Sequence, residues 1–311
     1  MARVSVGRFA PSATGRAHPG TWLAALLAWL DARQRGGRIV LRLEDLDPQR
    51  CTPAWVVGLR DDLDWFGLEW DLVERQSEHG ERCAVALDRL AERGLLYPCS
   101  CSRSQLKKVA KRTPDGSLVY PGTCRGRTLP AGGWRACDEA LRCRLPPGEV
   151  RLVDELEQVH DCAVASTFGD PVLRRRDGAS AYHLAAVVDD AAIGVTDIVR
   201  GRDLFWSTAT QRLLQELLDL PRPTYRHHLL LLEAQGDKFA KFHQAVGGAT
   251  IRRHYRAADF CGLLAWVAGL LPEARACRPA DLVEEFDWRR VHKVDQRLAW
   301  TGDALRYCGP A

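Results

Sequence analysis

The chain has 311 residues, 46% of them hydrophobic and 27% charged, with a formal net charge of +4 at pH 7. That is enough apolar material to bury a core, it excludes a disordered chain, and the length suits one large domain with appendages or two domains. So mild a net charge does not by itself mark a nucleic-acid binder. The start, Met1-Ala2-Arg3-Val4, is no export signal, and the longest apolar run, residues 22–30, is too short to span a bilayer. Eleven cysteines, an odd number, without such a signal predict reduced thiols in the cytoplasm.

The first stretch of interest runs from Val4 to Thr21. Alternation up to Phe9 predicts a strand. Ala10-Pro11-Ser12 and a turn through Gly15 follow, and Pro19 opens an apolar helix over residues 22–32. Proline is tolerated at a helix start because the first amides there have no intrahelical partner. Strand, glycine turn and helix N-terminus together make an anion site, with His18 and Gly20 at its mouth. Neither the Walker nor the GxGxxG glycine pattern is present. Taken alone, the stretch is equally an ordinary strand-to-helix turn with an incidental histidine. Arg3, Arg8, Arg16, Arg33, Arg35, Arg38 and Arg42 face one acid, Asp31, in the first 42 residues. Such a block suits a polyanion, although solvated basic faces are commoner.

Residues 39–43 read as a buried strand that ends in Glu44, Asp45 and Asp47. Ligands of open parallel sheets bind beyond the carboxyl ends of the strands, so these acids face the same crevice as His18. An amphipathic helix is expected over residues 55–66, a link over 67–71, and a helix over 80–93 closed by Gly94. Cys99 and Cys101, with Cys124 after a long loop, suit a thiolate-rich zinc site. The spacing leaves the fourth ligand open, with Cys137 and Cys143 as candidates. Lys107, Lys108, Lys111, Arg112, Arg125 and Arg127 surround these cysteines, which predicts a basic, zinc-stapled insertion facing RNA.

Residues 180–190, with Tyr182, Asp189 and Asp190, and residues 194–204, with Arg200, read as strands running to polar ends; a helix over 205–218 follows. Arg200 discriminates among ligands, because a planar fork of donors pairs a carboxylate. A hydrophobic strand from Tyr225, a turn at Gly236, and Lys238-Phe239-Ala240-Lys241 come next. Apolar periodicity over 261–271 and again over 282–288 predicts a helical end to the chain.

Taken together and in this order, these motifs resemble those of the class I aminoacyl-tRNA synthetases in their glutamyl form. Arg8-Phe9-Ala10-Pro11-Ser12-x-Thr14-Gly15-x-x-His18-x-Gly20 is similar to the HIGH signature. Leu41-Arg42-Leu43-Glu44-Asp45-x-Asp47 is similar to the strand-end motif, and Lys238 to Lys241 to the Lys-[Met/Leu]-Ser-Lys loop, here with Ala240 for serine. The resemblance covers roughly residues 3–258. It implies an α/β fold with a Rossmann-like doubly wound parallel sheet, split as residues 1–98 and 146–258 around a zinc-bearing insertion at 99–145. A small helical region at 259–311 would close the chain, with no residues left for an anticodon-binding domain.

For the site, the resemblance implies glutamate held by Arg8, Ala10, Ser12, Glu44, Tyr182 and Arg200. It implies ATP with Mg²⁺ held by His18, Gly20, Lys238 and Lys241, and Tyr120 as the fourth zinc ligand beside Cys99, Cys101 and Cys124. The shortened members of the glutamyl branch transfer glutamate to the queuosine base of the tRNA(Asp) anticodon. A monomer acting on that anticodon stem-loop is therefore the expectation. Two alternatives compete: a truncated synthetase charging the tRNA 3′ end, and a non-catalytic RNA-binding paralogue.

Overall fold

The computed structural model describes residues 4–114, 116–156, 159–238 and 246–311. Its centre is a five-stranded, all-parallel sheet of β1 (Val6–Phe9), β2 (Arg38–Leu43), β3 (Leu72–Arg75), β9 (Asp197–Gly201) and β10 (Thr224–His228), in the spatial order β10-β9-β1-β2-β3. The chain builds outward from β1 to β3 and then returns to add β9 and β10 on the other side. The order reverses between β1 and β9, which is where such sheets bind ligands. Register is set by Val6 opposite Arg38 and Gly7 opposite Asp197.

Helix α1 (Pro19–Gln34) crosses from β1 to β2, and α2 (Pro53–Trp65) from β2 to β3. A Cβ on Gly7 would stand 3.1 Å from the Ala32 Cβ, so the glycine lets α1 lie close on the sheet. α1 is apolar all round because both its sides are covered. On one side lies the sheet; on the other Trp22 meets Phe260 edge-on, with centroids 5.0 Å apart. Thr52 caps α2 by accepting from the Trp55 amide at 3.4 Å. Helix α3 (Gly80–Glu92) leads into a separate antiparallel sheet, β4 (Leu96–Cys99), β5 (Ala140–Cys143) and β8 (Val172–Arg174). Between its strands come α4 (Arg103–Val109), the hairpin β6 (Val150–Leu152) and β7 (His160–Cys162), and α5 (Val164–Thr167).

Two expectations need correction. Residues 180–190 are not a strand: α6 runs Tyr182–Ile193 and ends on Gly194 in the left-handed region, φ 78°. The stretch is alanine-rich, and Leu184, Val187 and Val188 recur at helical spacing on a buried face. The apolar run that reads as a strand is a helix buried on several sides, and Tyr182 stands at the start of that helix, its hydroxyl 3.4 Å from Arg200.

The end of the chain is likewise not simply helical. After α7 (Ser207–Leu217), β11 (Leu231–Glu233), α8 (Gly248–His254) and α9 (Ala257–Val267), residues 282–288 are the end of a short 3-10 helix (Pro279–Leu282) followed by turns and irregular chain, and β12 (Gln296–Trp300) and β13 (Leu305–Pro310) make a hairpin beside β11. The apolar residues at 282–288 pack as anchors of a loop. The Trp288 indole donates to Asp31 on α1 at 2.7 Å, and Phe286 packs edge-on against Trp288. Gly302, at φ 105°, makes the hairpin turn that buries Leu298 and Leu305. Among the described residues, no helix is long and apolar enough to cross a membrane.

Candidate active site

At the carboxyl ends of β1 and β9 opens a cavity of about 300 Å³, whose walls include Pro11, Ser12, Gly15, His18, Gly20, Gly201, Asp203 and Lys238. Its floor is an extension of the sheet. The Glu44 amide donates to the Pro11 carbonyl at 3.0 Å and the Ala13 amide to the Glu44 carbonyl at 3.1 Å. Ala10 is half-buried just after β1, and Ser12 is exposed on the wall. His18 precedes α1, and its amide donates to Thr21 Oγ1 at 3.4 Å. A Cβ on Gly20 would stand 3.2 Å from His18 Cε1, so glycine there leaves the ring its place.

Asp62 of α2 fixes this turn from below. One carboxylate oxygen accepts from the Ala17 amide at 3.1 Å, the other from Arg16 at 2.5 Å, and Arg252 of α8 lies 3.5 Å away. Burial raises the Asp62 carboxyl above its usual range, against these donors. Lys238 donates to Asp203 across the cavity at 2.9 Å. Ala240 and Lys241 lie outside the described residues, so Lys238 is the one lysine of that motif that can be placed.

Deeper in the sheet sits a buried set of ions. Arg42 donates to Asp190 at 2.6 Å and to Glu44 at 3.3 Å, and Arg8 donates to Asp190 at 3.4 Å. Burial acts to raise the Asp190 carboxyl, but Arg42 and Arg8 hold it below the ordinary range. For Glu44 burial prevails over Arg42, and its carboxyl is raised.

Arg200, 5% exposed, forms no ion pair within 4.0 Å among the described residues. It donates to His227 Nε2 at 3.0 Å, Gln211 Oε1 at 2.9 Å, Thr208 Oγ1 at 2.6 Å and the Tyr182 hydroxyl at 3.4 Å. Tyr182 is itself 37% exposed. Sequence patterns point to Arg8, Glu44, Tyr182 and Arg200 but miss His227, Thr208 and Gln211. Nothing local marks those three; only the pairing of β9 with β10 and the packing of α7 bring them to Arg200.

Most of the first basic block is neutralised, although Arg38 is exposed and Arg3 lies outside the described residues. Arg8 and Arg42 are buried in the site, while Arg16 pairs with Asp62, Arg33 with Asp71, and Arg35 with Asp31 and Asp197. The neutralising acids are mostly remote in sequence, so a local charge count overlooks them. In the second block Arg125 pairs with Asp170 and Arg127 with Glu139, whereas Lys107, Lys108, Lys111 and Arg112 are exposed.

In the insertion the sulfurs of Cys99, Cys101 and Cys124 lie within 4.8 Å of one another. The Tyr120 hydroxyl is 3.5 Å from Cys99 Sγ and 4.0 Å from Cys101 Sγ, and Cys101 and Cys124 sulfurs are 3.6 Å apart. A tetrahedron of zinc–sulfur bonds of about 2.3 Å has edges of about 3.8 Å, so this donor set fits a zinc ion. Burial opposes ionisation of Cys124, but the Ser100 amide, Tyr120 and Cys101 bring its thiol down to about 6. Cys137 and Cys143 are outside the cluster, their thiols directed at the carbonyls of Glu139 and Arg144. Arg142, buried, donates to Cys99 Sγ at 3.2 Å and lies 3.6 Å over the Tyr120 ring.

Residues 4–261 match the family described as tRNA synthetases class I (E and Q), catalytic domain. The chain is 41% identical over 292 residues to the Glutamyl-Q tRNA(Asp) synthetase of Nitratidesulfovibrio vulgaris, covering 89% of this chain and 90% of the relative. It is 40% identical over 309 residues to the protein of that name from Symbiobacterium thermophilum, covering 94% and 95%. Its structure is similar to a glutamate tRNA ligase from Elizabethkingia meningosepticum in complex with its amino acid, with TM-score 0.77 and 25% identity. That match covers 94% of this chain and 66% of the solved one. The fold also matches glutamate-tRNA synthetase from Elizabethkingia anophelis, with TM-score 0.79 and 24% identity, over 97% of this chain and 69% of that one.

Proposed function

Since the chain belongs to the class I (E and Q) tRNA synthetase catalytic-domain family and is a ligase of that kind, we propose that it activates glutamate with ATP and transfers it to the queuosine base of the tRNA(Asp) anticodon. The observation that carries the choice of glutamate is Arg200. A buried charge is costly unless paired, and this one is surrounded by neutral acceptors while Asp190 and Glu44 serve Arg8 and Arg42. No carboxylate among the described residues contacts Arg200 directly, Asp154 being one imidazole removed behind His227, so the guanidinium is left to meet a carboxylate such as a glutamate side chain supplies. Tyr182, 37% exposed, would border its path, and Glu44, which Arg42 already contacts at 3.3 Å, would also meet the substrate's ammonium group.

In the first step the glutamate α-carboxylate oxygen attacks the α-phosphorus of ATP. The bond to the bridging oxygen breaks, leaving glutamyl-adenylate and pyrophosphate. The protein's part is placement and charge stabilisation. His18 and the N-terminus of α1 would hold the phosphates with Gly20 keeping the approach clear. Lys238 and Lys241 would meet the charge that develops on pyrophosphate, which Mg²⁺ accompanies as part of the substrate. In the second step a hydroxyl of the RNA attacks the activated carbonyl, the new ester forms, and AMP leaves.

Cys99, Cys101, Tyr120 and Cys124 would hold a structural zinc ion that staples the insertion, and Lys107, Lys108, Lys111 and Arg112 would meet RNA phosphates. The catalytic body would sit directly on the anticodon loop, whose unpaired base costs only a few kcal/mol to flip out. The names of the relatives support this acceptor over the tRNA 3′ end.

Pyrophosphate exchange measured with each amino acid should proceed with glutamate; no exchange with any amino acid would leave a non-catalytic RNA binder. Transfer to tRNA(Asp) should survive removal of the 3′ CCA and fail with tRNA lacking queuosine. The reverse pair of results would make this a synthetase that charges the 3′ end.

A further inference from the structure

Arg200 on β9 stands directly opposite His227 on β10 in the parallel register, so their side chains share one face of the sheet. Behind His227 lies Asp154, in the segment after β6. That segment bridges to Tyr225 and is held there by the Glu155 amide donating to the Tyr225 carbonyl at 3.0 Å. His227 Nδ1 meets Asp154 Oδ2, and the other oxygen of Asp154 accepts from the Leu156 amide at 2.8 Å. Asp154 and His227 side chains are each 1% exposed. The Tyr225 ring stacks parallel to His227, with centroids 6.0 Å apart, and lies 5.2 Å from the Arg200 guanidinium carbon.

These contacts assign the imidazole tautomer. A carboxylate only accepts and a guanidinium only donates. Nδ1 therefore carries the hydrogen that Asp154 receives, and Nε2 offers its lone pair to Arg200 Nε–H. Thr208 completes the arrangement: its oxygen accepts from Arg200 Nη2 at 2.6 Å while its hydroxyl hydrogen can point to Nε2, 3.1 Å away. With the other tautomer, an N–H would be aimed at the Arg200 N–H.

We infer that His227, locked in one tautomer by Asp154, is a positioning residue that sets the plane and direction of the Arg200 guanidinium, and through it the preference for a substrate side-chain carboxylate. His227 touches no substrate; it acts through Arg200. The inference rests on Arg200 being the ligand of that carboxylate, as proposed above. Asp154 ties the pocket to the chain segment that follows the insertion, so the specificity-determining guanidinium is held by three separate parts of the chain. A neutral acceptor at Nε2 also leaves the arginine's charge to the substrate, where a carboxylate in that place would have cancelled it.

The test is steady-state pyrophosphate exchange with His227→Gln, Asp154→Ala and, as control, Arg200→Ala, beside a long-range ¹H–¹⁵N spectrum of the unaltered protein. The spectrum should show His227 protonated at Nδ1; protonation at Nε2 overturns the inference. Misdirecting one charge-assisted contact should raise the KM for glutamate about tenfold to a hundredfold in both relay variants, with the KM for ATP within about twofold of the parent. A merely structural role would move both constants together or neither, and either outcome overturns the inference. If His227→Gln fails to fold, Asp154→Ala decides alone. If Arg200→Ala itself leaves the glutamate KM unchanged, the placement of the carboxylate pocket is what fails. If Arg200→Ala raises it and the relay variants do not, the relay fails and the pocket stands.

Discussion

Asp190→Asn is the perturbation that most directly probes the buried ions. The carboxylate accepts from Arg42 at 2.6 Å and from Arg8 at 3.4 Å, and its side chain is 6% exposed against 0% and 5% for its partners. The amide is nearly isosteric, so packing is kept and charge is removed. A hydrogen bond to a charged group is worth roughly 1.5–3 kcal/mol, and breaking a buried pair costs roughly 3–5 kcal/mol because the surviving charge is left uncompensated. The asparagine oxygen can still accept from Arg42, which places the expected loss at the lower end, about 3 kcal/mol. At an unfolding entropy of about 2.1 cal/mol/K per residue, the 311-residue chain would lose about 5 °C in Tm.

The same carboxylate predicts a pH dependence with a definite sign. Its folded pKa lies below the ordinary value of about 3.9, so its contribution is present above that pH and is lost as pH falls toward the folded value. Urea unfolding of parent and variant at pH 7 and at pH 3 is the assay. A difference of about 3 kcal/mol at pH 7 that shrinks at pH 3 is expected. A loss under 1 kcal/mol at pH 7, or one that grows on acidification, would refute the charge account.

Metal analysis of the purified protein should find about one equivalent of zinc, and Cys124→Ser should lose it; a metal-free protein of unchanged stability would retire the site. Lys238→Ala should slow adenylate formation about 10²–10³-fold while glutamate binding changes little, and equal small effects on both would mark a solvated loop. Gly248→Ala would put a Cβ 2.0 Å from an Asp62 carboxylate oxygen. That substitution should displace the carboxylate from the Ala17 amide and Arg16, costing about 1–3 kcal/mol and raising the KM for ATP, both measurable on one preparation. Burial lowers His227 and His228 to about 4 from 6.5, so unfolded chains bind protons first and stability should fall as pH drops from about 6.5 toward 4; a flat urea midpoint over that window would contradict it.

How far the fold is legible in the sequence depends on whether the signal is local. β1, α1 and β2 are readable because Pro19, the turn through Gly15 and the acids after Leu43 all mark boundaries within a few residues of the elements they bound. Residues 180–190 mislead because a helix buried on several sides loses its polar stripe and becomes a run of apolar residues, as a buried strand is. β3 has no such run, since Leu72-Val73-Glu74-Arg75 is an edge strand that takes its place from pairing with β2. In the site, Arg8, Glu44 and Arg200 are visible as charges at strand ends. That Arg16, Arg33 and Arg35 are neutralised is not visible, because Asp62, Asp71 and Asp197 arrive from 38 or more residues away.

What separates Arg200 from Arg8, Arg42 and Arg226, the other buried arginines of the parallel sheet, is therefore its partners and not its position in a motif. Arg226, one residue before His227 on the same strand, lies on the opposite face of the sheet and is spent on Asp197 at 3.2 Å, with Asp31 3.8 Å away. Arg200 is buried against a neutral imidazole, an amide oxygen and two hydroxyls. Hydrogen bonds to neutral acceptors orient a guanidinium without cancelling its charge, and low local dielectric makes the remaining field stronger than it would be in water. A neutral substrate side chain would leave that charge uncompensated, whereas a carboxylate would complete it. Selection of the acid over its amide can then arise from the burial of Arg200 itself, with no residue needed to repel the amide.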